Sequence, residues 1–155
     1  ITVCFWFKCS PSIINMLCEY TDNTNINNGL YVDINEFSKG QIILASLGNN
    51  GYNLVETNLK AYNDGKWHHF AGVIDRRINN SEQQFIYIDG VPDYSIRSGY
   101  GKINTSNFPA NHAMYIGSRA TTSFKYVGLM DDFQFYTKAL SIENIRRIMI
   151  GMHPL

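Results

Sequence analysis

Two runs of apolar residues in the middle of the chain predict a pair of neighbouring β-strands. The runs cover residues 65–75 and 84–90, and both are rich in the β-branched and aromatic residues that favour a pleated, packed strand. An Asp-Gly pair opens the first run at 64–65 and another closes the second at 89–90, because glycine accepts the positive φ of a tight turn. The polar residues between the runs are typical of a loop, so we expect strand, loop and strand at the centre of the fold.

Short segments of the same kind fill most of the remaining chain. In one of them, Leu30 and Val32 alternate with Tyr31 and Asp33, which indicates a strand with one buried and one exposed face. Turn residues separate these segments at short intervals. The apolar patterns predict strands at residues 2–9, 13–20, 29–37, 41–47, 91–97, 113–118 and 126–136, with a weaker strand within 52–62.

One helix is predicted near the end of the chain. Ser141 is a good N-cap, Glu143 lies in the first turn where its charge suits the helix dipole, and Gly151 ends the helix. Ile145 and Ile148 lie on one apolar face. Many short strands followed by a single helix indicate an all-β fold, a two-sheet antiparallel jelly-roll sandwich with a short C-terminal helix.

Strands that are apolar on both faces occur where both faces are covered. We therefore expect six side chains of the central and closing strands to be largely buried: Trp67, Phe70, Phe85, Ile86, Phe133 and Phe135. His68 and His69 are adjacent on a strand, so they point to opposite faces and cannot chelate one ion. We interpret both as structural, with His69 packed in the sandwich and His68 near its outer face.

Composition excludes some classes of partner. The chain has 155 residues, enough for one domain with a real core, and its formal net charge is zero. No basic stripe is available to neutralise phosphates, which argues against nucleic acid and against an anionic membrane surface. No apolar run approaches the length of a membrane span, so membrane insertion is not expected.

Three cysteines lie near the start of the chain. Cys4 and Cys9 are too far apart on one extended strand to form a disulfide. A strand pairing centred on Pro11 would place Cys4 opposite Cys18 and allow a bridge between them. The alternative is that all three are small buried hydrophobic residues.

Several segments in order along the chain resemble a laminin G-like, concanavalin A-like jelly-roll domain. The resemblance covers nearly the whole chain, and it implies the same sandwich fold. The matching segments are 2–8 (TVCFWFK), 65–73 (GKWHHFAGV), 85–90 (FIYIDG), 114–117 (MYIG), 127–136 (VGLMDDFQFY) and 139–145 (ALSIENI).

The resemblance also bears on domain organisation and location. The family usually has a further strand before the equivalent of residues 2–8, and this sequence begins without it. Because the chain also starts abruptly on a strand-like run, we interpret residues 1–155 as a single domain from a longer multidomain protein. The family implies an extracellular or cell-surface location, with other domains of the same chain as neighbours.

Asp131 is the candidate metal ligand. Period-two alternation places it on the same face as Leu129, Phe133 and Phe135, and a carboxylate on an apolar face needs hydrogen-bond donors or a cation. Backbone or arginine donors are one alternative. The other, implied by the resemblance, is a structural calcium ion. We expect no required cofactor, with structural calcium left open.

No catalytic motif is present. Relatives of this fold that hydrolyse glycans carry closely spaced carboxylates on one strand, and the glutamates here are scattered. Neither a Gly-x-Ser-x-Gly elbow nor a glycine-rich phosphate loop occurs. We therefore expect the protein not to be an enzyme.

Binding is the function that remains. Aromatic rings stack on sugars while amides and carboxylates bond their hydroxyl groups, although tyrosine is also common in strands and asparagine in turns. The first hypothesis is a lectin-like module for glycan recognition or adhesion, and the alternative is a protein-interaction or scaffold domain without sugar binding. The candidate ligand-binding residues are Asn49, Asn50, Tyr52, Tyr94 and Tyr100.

Overall fold

The computed structural model has eleven strands and one helix among the residues it describes, which are 1–10, 13–21, 29–48, 51–58, 60–80, 82–101, 108, 111–120 and 123–155, the side chains of 98–100 excepted. The elements are β1 (Thr2–Lys8), β2 (Asn15–Thr21), β3 (Leu30–Ile34), β4 (Ile42–Gly48), β5 (Gly51–Glu56), β6 (His68–Ile74), β7 (Gln84–Ile88), β8 (Val91–Pro92), β9 (Ser95–Gly101), β10 (Ala113–Ile116), β11 (Leu129–Tyr136) and α1 (Ile142–Met149).

The strands form two antiparallel sheets. The five-stranded sheet has the order β11-β1-β6-β7-β8, and the six-stranded sheet has the order β10-β2-β3-β4-β5-β9. This confirms the predicted all-β, two-sheet jelly-roll sandwich with a C-terminal helix. The predicted strand at 91–97 is divided into β8 and β9, and β9 continues to Gly101, past the predicted end at residue 97.

The main core lies between the two sheets. The Phe5 ring stacks on Phe70 with centroids 5.0 Å apart and on Phe133 at 5.7 Å. Ile86 and Leu44 are fully buried in the same core cluster, from opposite sheets. Every residue of β6 is buried, so the central strand predicted from the sequence is covered on both faces.

Two of the six predicted core residues are wrong. Trp67 is 43% exposed because it precedes β6, where the chain has not yet entered the sheet. Phe135 is 38% exposed because it lies on β11, an edge strand of the five-stranded sheet, which has a neighbouring strand on one side only. Phe70 and Ile86 are buried as predicted, and two more, Phe85 and Phe133, are partly buried.

The helix is confirmed together with its cap. The Ser141 side chain accepts a hydrogen bond from the Asn144 N–H at 3.4 Å. Ile145 and Ile148 are buried on the outer face of the five-stranded sheet, where they pack with Cys4, Ala71 and Val73. Among the described residues, this chain has no helix with the length and apolar character needed to span a membrane.

The Cys4–Cys18 disulfide is excluded. β1 pairs with β6 and β11, whereas β2 pairs with β3 and β10, so the two residues belong to different sheets. Cys4 faces the helix and Cys18 faces the main core. All three thiols are free and buried, and burial raises the pKa of Cys4 to about 12 and that of Cys9 to about 11.

Candidate functional site

The outer face of the six-stranded sheet carries a group of aromatic and charged side chains. Leu30 and Val32 face the main core, so Tyr31 between them points to the outer face, opposite Glu19 of β2. The Arg119 guanidinium lies 6.0 Å from the Tyr31 ring centroid, and its Nε lies 3.4 Å from Glu19 Oε1. This contact covers Tyr31, which is 9% exposed, so the expectation of an exposed face on this strand is wrong.

One exposed ring contacts this arginine, and a second exposed ring lies on the same face of the sheet. Phe124 is 42% exposed, and its ring centroid lies 5.7 Å from the Arg119 guanidinium. Tyr52 is 46% exposed on β5; it belongs to the same outer face, since Leu54 two residues on packs with Tyr31. We refer to Glu19, Tyr31, Tyr52, Arg119 and Phe124 as the sheet-face cluster.

The carboxylate of the cluster is held firmly. Glu19 is 2% exposed, and its second oxygen, Oε2, accepts a hydrogen bond from the Ala120 N–H at 2.8 Å. The ion pair and this bond fix the position of Arg119, so its guanidinium is presented between two rings in one orientation.

A small cavity of about 70 Å³ lies beside Arg119 and Phe124. Two carboxyl groups line it: Asp33, which is 2% exposed, and Glu36. Within the described part of the chain, Asp33 Oδ1 and Glu36 Oε2 are buried without a hydrogen-bond partner. Burial, together with the hydrogen bond and negative charge of Glu36, raises the pKa of Asp33 well above its usual value. The protonated, neutral form of Asp33 is therefore favoured beneath the cluster.

The two predicted ligand-binding residues whose side chains the structure describes, Tyr52 and Tyr94, do not lie at one site. Tyr52 belongs to the sheet-face cluster. Tyr94 is exposed at the other end of the β5–β9 ladder, because Glu56 pairs with Ser95 while Asn53 pairs with Gly101. Asn49 and Asn50 lie outside the described residues, as does the side chain of Tyr100.

Tyr94 lines a separate cleft of about 380 Å³ together with Phe85, whose ring meets that of Tyr94 edge to face at 5.4 Å. Glu82 and Gln84 supply polar groups at its wall. Gln84 is buried, donates its amide to Ser46, and leaves Oε1 without a partner. This cleft therefore also combines aromatic rings with polar groups.

Asp131 points outward, and the inward orientation expected from alternation is wrong. β11 contains a bulge: Trp6 pairs with Asp131 but Cys4 pairs with Gln134, so one extra residue lies between the two pairs. Asp132 adopts φ 50° at this point. The extra residue reverses the alternation, which explains why Met130 and Phe133 both pack against the core and Asp131 does not.

The described contacts of Asp131 are hydrogen bonds within β11. Its Oδ1 accepts a hydrogen bond from the Asp132 N–H at 2.8 Å, and the Asp132 carboxylate accepts one from the Gln134 amide. Calcium requires six or more oxygen ligands, and within the described part of the chain three or more acidic, histidine or cysteine side chains do not group together in a way that could hold a metal.

The two histidines have the reverse of the predicted orientation. His68 shares its face with Phe70 and packs against the rings of Phe7 and Tyr62, inside the sandwich. His69 faces outward against Trp6, with ring centroids 5.3 Å apart. The two side chains point to opposite faces, as predicted. The prediction assigned the wrong histidine to the inner face, because His68 shares the inward face of the buried Phe70.

The sequence did contain part of the signal for the sheet-face cluster. Alternation placed Tyr31 and Asp33 on the face opposite the apolar residues of their strand, which is correct. Arg119 and Phe124 lie outside regular strands, so no periodicity pointed to them, and their meeting with Glu19 depends on the pairing of β10 with β2.

Comparison with known proteins gives a family and a set of related folds. Residues 1–146 match the laminin G-type family model described as the concanavalin A-like lectin/glucanases superfamily. No curated protein sequence matches the chain significantly.

Three solved structures illustrate the fold. The chain is 17% identical to a pentraxin from Limulus polyphemus, with a TM-score of 0.68, over 95% of this chain and 68% of the pentraxin. It is 14% identical to the CBM40 module of a Ruminococcus gnavus sialidase in complex with α2,6-sialyllactose, with a TM-score of 0.67, over 95% of this chain and 81% of that one. Domains LG4-5 of mouse laminin α1 align at 13% identity and a TM-score of 0.56, over 85% of this chain and 33% of that structure.

Proposed function

Because the chain belongs to the concanavalin A-like lectin/glucanases superfamily, we propose that it is a non-catalytic carbohydrate-binding module. The observation that carries this proposal is the sheet-face cluster, in which Arg119 lies between aromatic rings on the sheet opposite the one that α1 covers. Exposed rings offer stacking surfaces to the apolar face of a sugar, and the charged groups offer hydrogen bonds to its hydroxyls.

The accessible members of the cluster define how a saccharide would bind. Phe124 is the exposed ring in contact with Arg119, so it forms the stacking surface, and Tyr52 offers a second exposed ring on the same face of the sheet. Arg119 is 25% exposed and donates hydrogen bonds to the hydroxyl groups of the saccharide. Its ion pair with Glu19 keeps the guanidinium in place. The solved CBM40 structure bound to sialyllactose supports the choice of carbohydrate as ligand. At 14% identity, the similarity shows a common fold and does not identify the sugar.

The proposal extends to the setting of the module. We place it outside the cell or at the cell surface, as one domain of a larger protein, on the strength of the family. The burial of Asp33 supports a non-catalytic role, because a carboxyl group that is 2% exposed is not placed to flank a glycosidic bond.

A protein partner is the second candidate. Ile13, Val127 and Leu129 are 61%, 55% and 57% exposed, and exposed apolar side chains of this size favour contact with another protein. Phe124 lines the same groove as Ile13 and Val127. This candidate therefore predicts binding that Phe124→Ala weakens and that Tyr52→Ala leaves unchanged.

A glycan array probed with the chain tests the proposal, followed by titration calorimetry on any saccharide that binds. Phe124→Ala and Tyr52→Ala should each weaken that binding by roughly tenfold, because central aromatic contacts carry much of the energy of recognition. Tyr94→Ala is the matched control, since it removes an exposed ring from the other cleft. Silence across the array at high protein concentration would sink the carbohydrate proposal and favour a protein partner. Loss of binding in Tyr94→Ala alone would move the site to that cleft.

A further inference from the structure

A larger cavity, of about 900 Å³, lies at one edge of the sandwich, away from the sheet-face cluster. Tyr20 of β2 and Phe135 of β11 line it from the two sheets, and Phe108 completes the aromatic wall. The Tyr20 ring lies 6.0 Å from each of the other two rings, measured between centroids. We call this space the edge cavity; its walls are aromatic and its volume is that of a small-molecule site.

Arg76 lies in the wall of the edge cavity, and among the residues that the structure describes it has no ion-pair partner. Its guanidinium lies 4.2 Å from the Phe108 ring centroid, and its Nε and Nη2 are buried with no hydrogen-bond partner among those residues. The neighbouring carboxylate, Asp75, is already engaged by Arg77, which donates to Oδ1 at 2.9 Å and to Oδ2 at 2.7 Å. Burial lowers the pKa of Arg76, as expected for a cation that has lost water and gained no anion.

The charged side chains that line the edge cavity leave a net positive charge. Asp75 and Arg77 cancel each other as a bidentate pair. Arg76 and Lys138 remain, and both line the cavity. A buried polar group without a partner raises the free energy of the folded state, and a buried charge raises it further. An acceptor that entered the cavity would remove this cost.

We propose that the edge cavity binds a small organic ligand that carries a carboxylate on a ring, with Arg76 as the group that recognises the carboxylate. A guanidinium presents paired N–H donors in a planar fork that matches the two oxygens of a carboxylate. Nε and Nη2 are turned away from solvent, so binding requires a small rotation of the Arg76 side chain toward the cavity. Tyr20 and Phe135 then contact the ring of the ligand, and Lys138 supplies a second positive charge.

This inference is independent of the carbohydrate proposal, because it concerns other residues on another part of the fold. A sugar acid and an aromatic acid both carry a carboxylate on a ring, so either could bind here. Two pairs of probes distinguish them: benzoate is compared with its neutral isostere benzamide, and glucuronate is compared with glucose. Binding is measured by NMR chemical-shift titration of the chain.

We expect at least one of the two acids to bind, with shifts at residues of the edge cavity, and its neutral counterpart to bind at least roughly tenfold more weakly. Arg76→Gln should weaken binding of the acid by roughly tenfold or more. Arg147→Gln, which removes an arginine of α1 that bonds His153, is the matched control and should leave binding unchanged. Phe124→Ala should also leave it unchanged.

Three results would overturn the proposal: no binding of either acid, equal binding of acid and neutral isostere, or unchanged binding in Arg76→Gln. If Arg76→Gln does not fold, Arg76→Lys and Lys138→Gln provide the test. Arg76→Lys keeps the charge but loses the fork, so the acid should bind more weakly but still better than its neutral isostere. Unchanged affinity in both of these variants would reject the proposal as well.

Discussion

His68 Nδ1 and Asp89 Oδ2 lie 2.8 Å apart and join the start of β6 to the turn that follows β7. The other oxygen of Asp89 accepts a hydrogen bond from the backbone N–H of His69 at 2.9 Å. Asp64 contacts His68 from the opposite side, with Oδ1 3.1 Å from Nε2. The two Asp-Gly turns that frame the central strands in the sequence are thus linked through one buried histidine.

Replacing Asp89 tests this link. Asp89→Ala should lower the free energy of unfolding by about 1–3 kcal/mol, because it leaves buried donors without an acceptor. Alanine is also disfavoured at φ 53°, the value that Asp89 adopts. Asp89→Asn is the control: it keeps one oxygen and tolerates this backbone conformation, so its cost should be smaller. Urea denaturation measures both, and equal costs for the two variants would contradict the proposed role of the side chain.

His69 makes stability depend on acid pH. Burial lowers its pKa from 6.5 to about 4, so the unfolded chain takes up a proton at a higher pH than the folded one. The contribution of this histidine is therefore fully present above pH 6.5 and is lost as the pH falls toward 4. The loss amounts to about 3 kcal/mol. The free energy of unfolding of His69→Gln, measured from pH 7.5 to 4, should fall less than that of the unmodified chain; parallel curves would refute the assignment.

The errors in the sequence-based prediction share a cause. Alternation along a strand predicts which residues share a face. It does not predict which of the two faces points to the core, or where a bulge interrupts the alternation. The wrong choice of face reversed His68 and His69, and the bulge at Asp132 reversed Asp131 relative to Phe133. Bulges depend on the partner strand, which a single sequence does not reveal.

Local features were predicted well. The Ser141 cap and the buried helix face at Ile145 depend on neighbours within one turn, and both are confirmed. The meeting of Arg119 with Glu19 depends on strand pairing across 100 residues, so it required the structure.

Asp33 makes the free energy of unfolding depend on pH in the direction opposite to His69. Its pKa is raised in the folded chain by burial and by Glu36, so its contribution to stability is fully present below the pKa of an aspartate in the unfolded chain and is lost as the pH rises through the folded pKa. Asp33→Asn removes this loss, and we expect it to stabilise the protein at neutral pH. Denaturation at pH 7 and at pH 3.5 checks this, since the advantage of the variant should shrink in acid. A variant that is less stable than the unmodified chain at pH 7 would contradict the raised pKa of Asp33.

The helix cap has a simpler test. Ser141→Ala removes the acceptor for the Asn144 N–H and should cost about 1 kcal/mol. Ser141→Asp is the matched control, because aspartate caps helices as well as serine and adds a charge that suits the N-terminus. We expect thermal melts to rank the unmodified chain and Ser141→Asp together, above Ser141→Ala. An unchanged melting temperature in Ser141→Ala would show that the 3.4 Å contact does not stabilise the helix.

Calcium dependence is the remaining prediction. The outward orientation of Asp131 and its bond to the Asp132 N–H favour a purely hydrogen-bonded role, so thermal melts with EDTA and with added calcium should coincide. Asp131→Asn should change the free energy of unfolding by less than about 0.5 kcal/mol, as is usual for an exposed position. A ligand that binds only the folded state stabilises it by RT ln(1 + [L]/Kd). If calcium raises the melting temperature by several degrees and Asp131→Asn abolishes that rise, Asp131 is a metal ligand. A rise that persists in the variant would place the calcium site elsewhere in the chain.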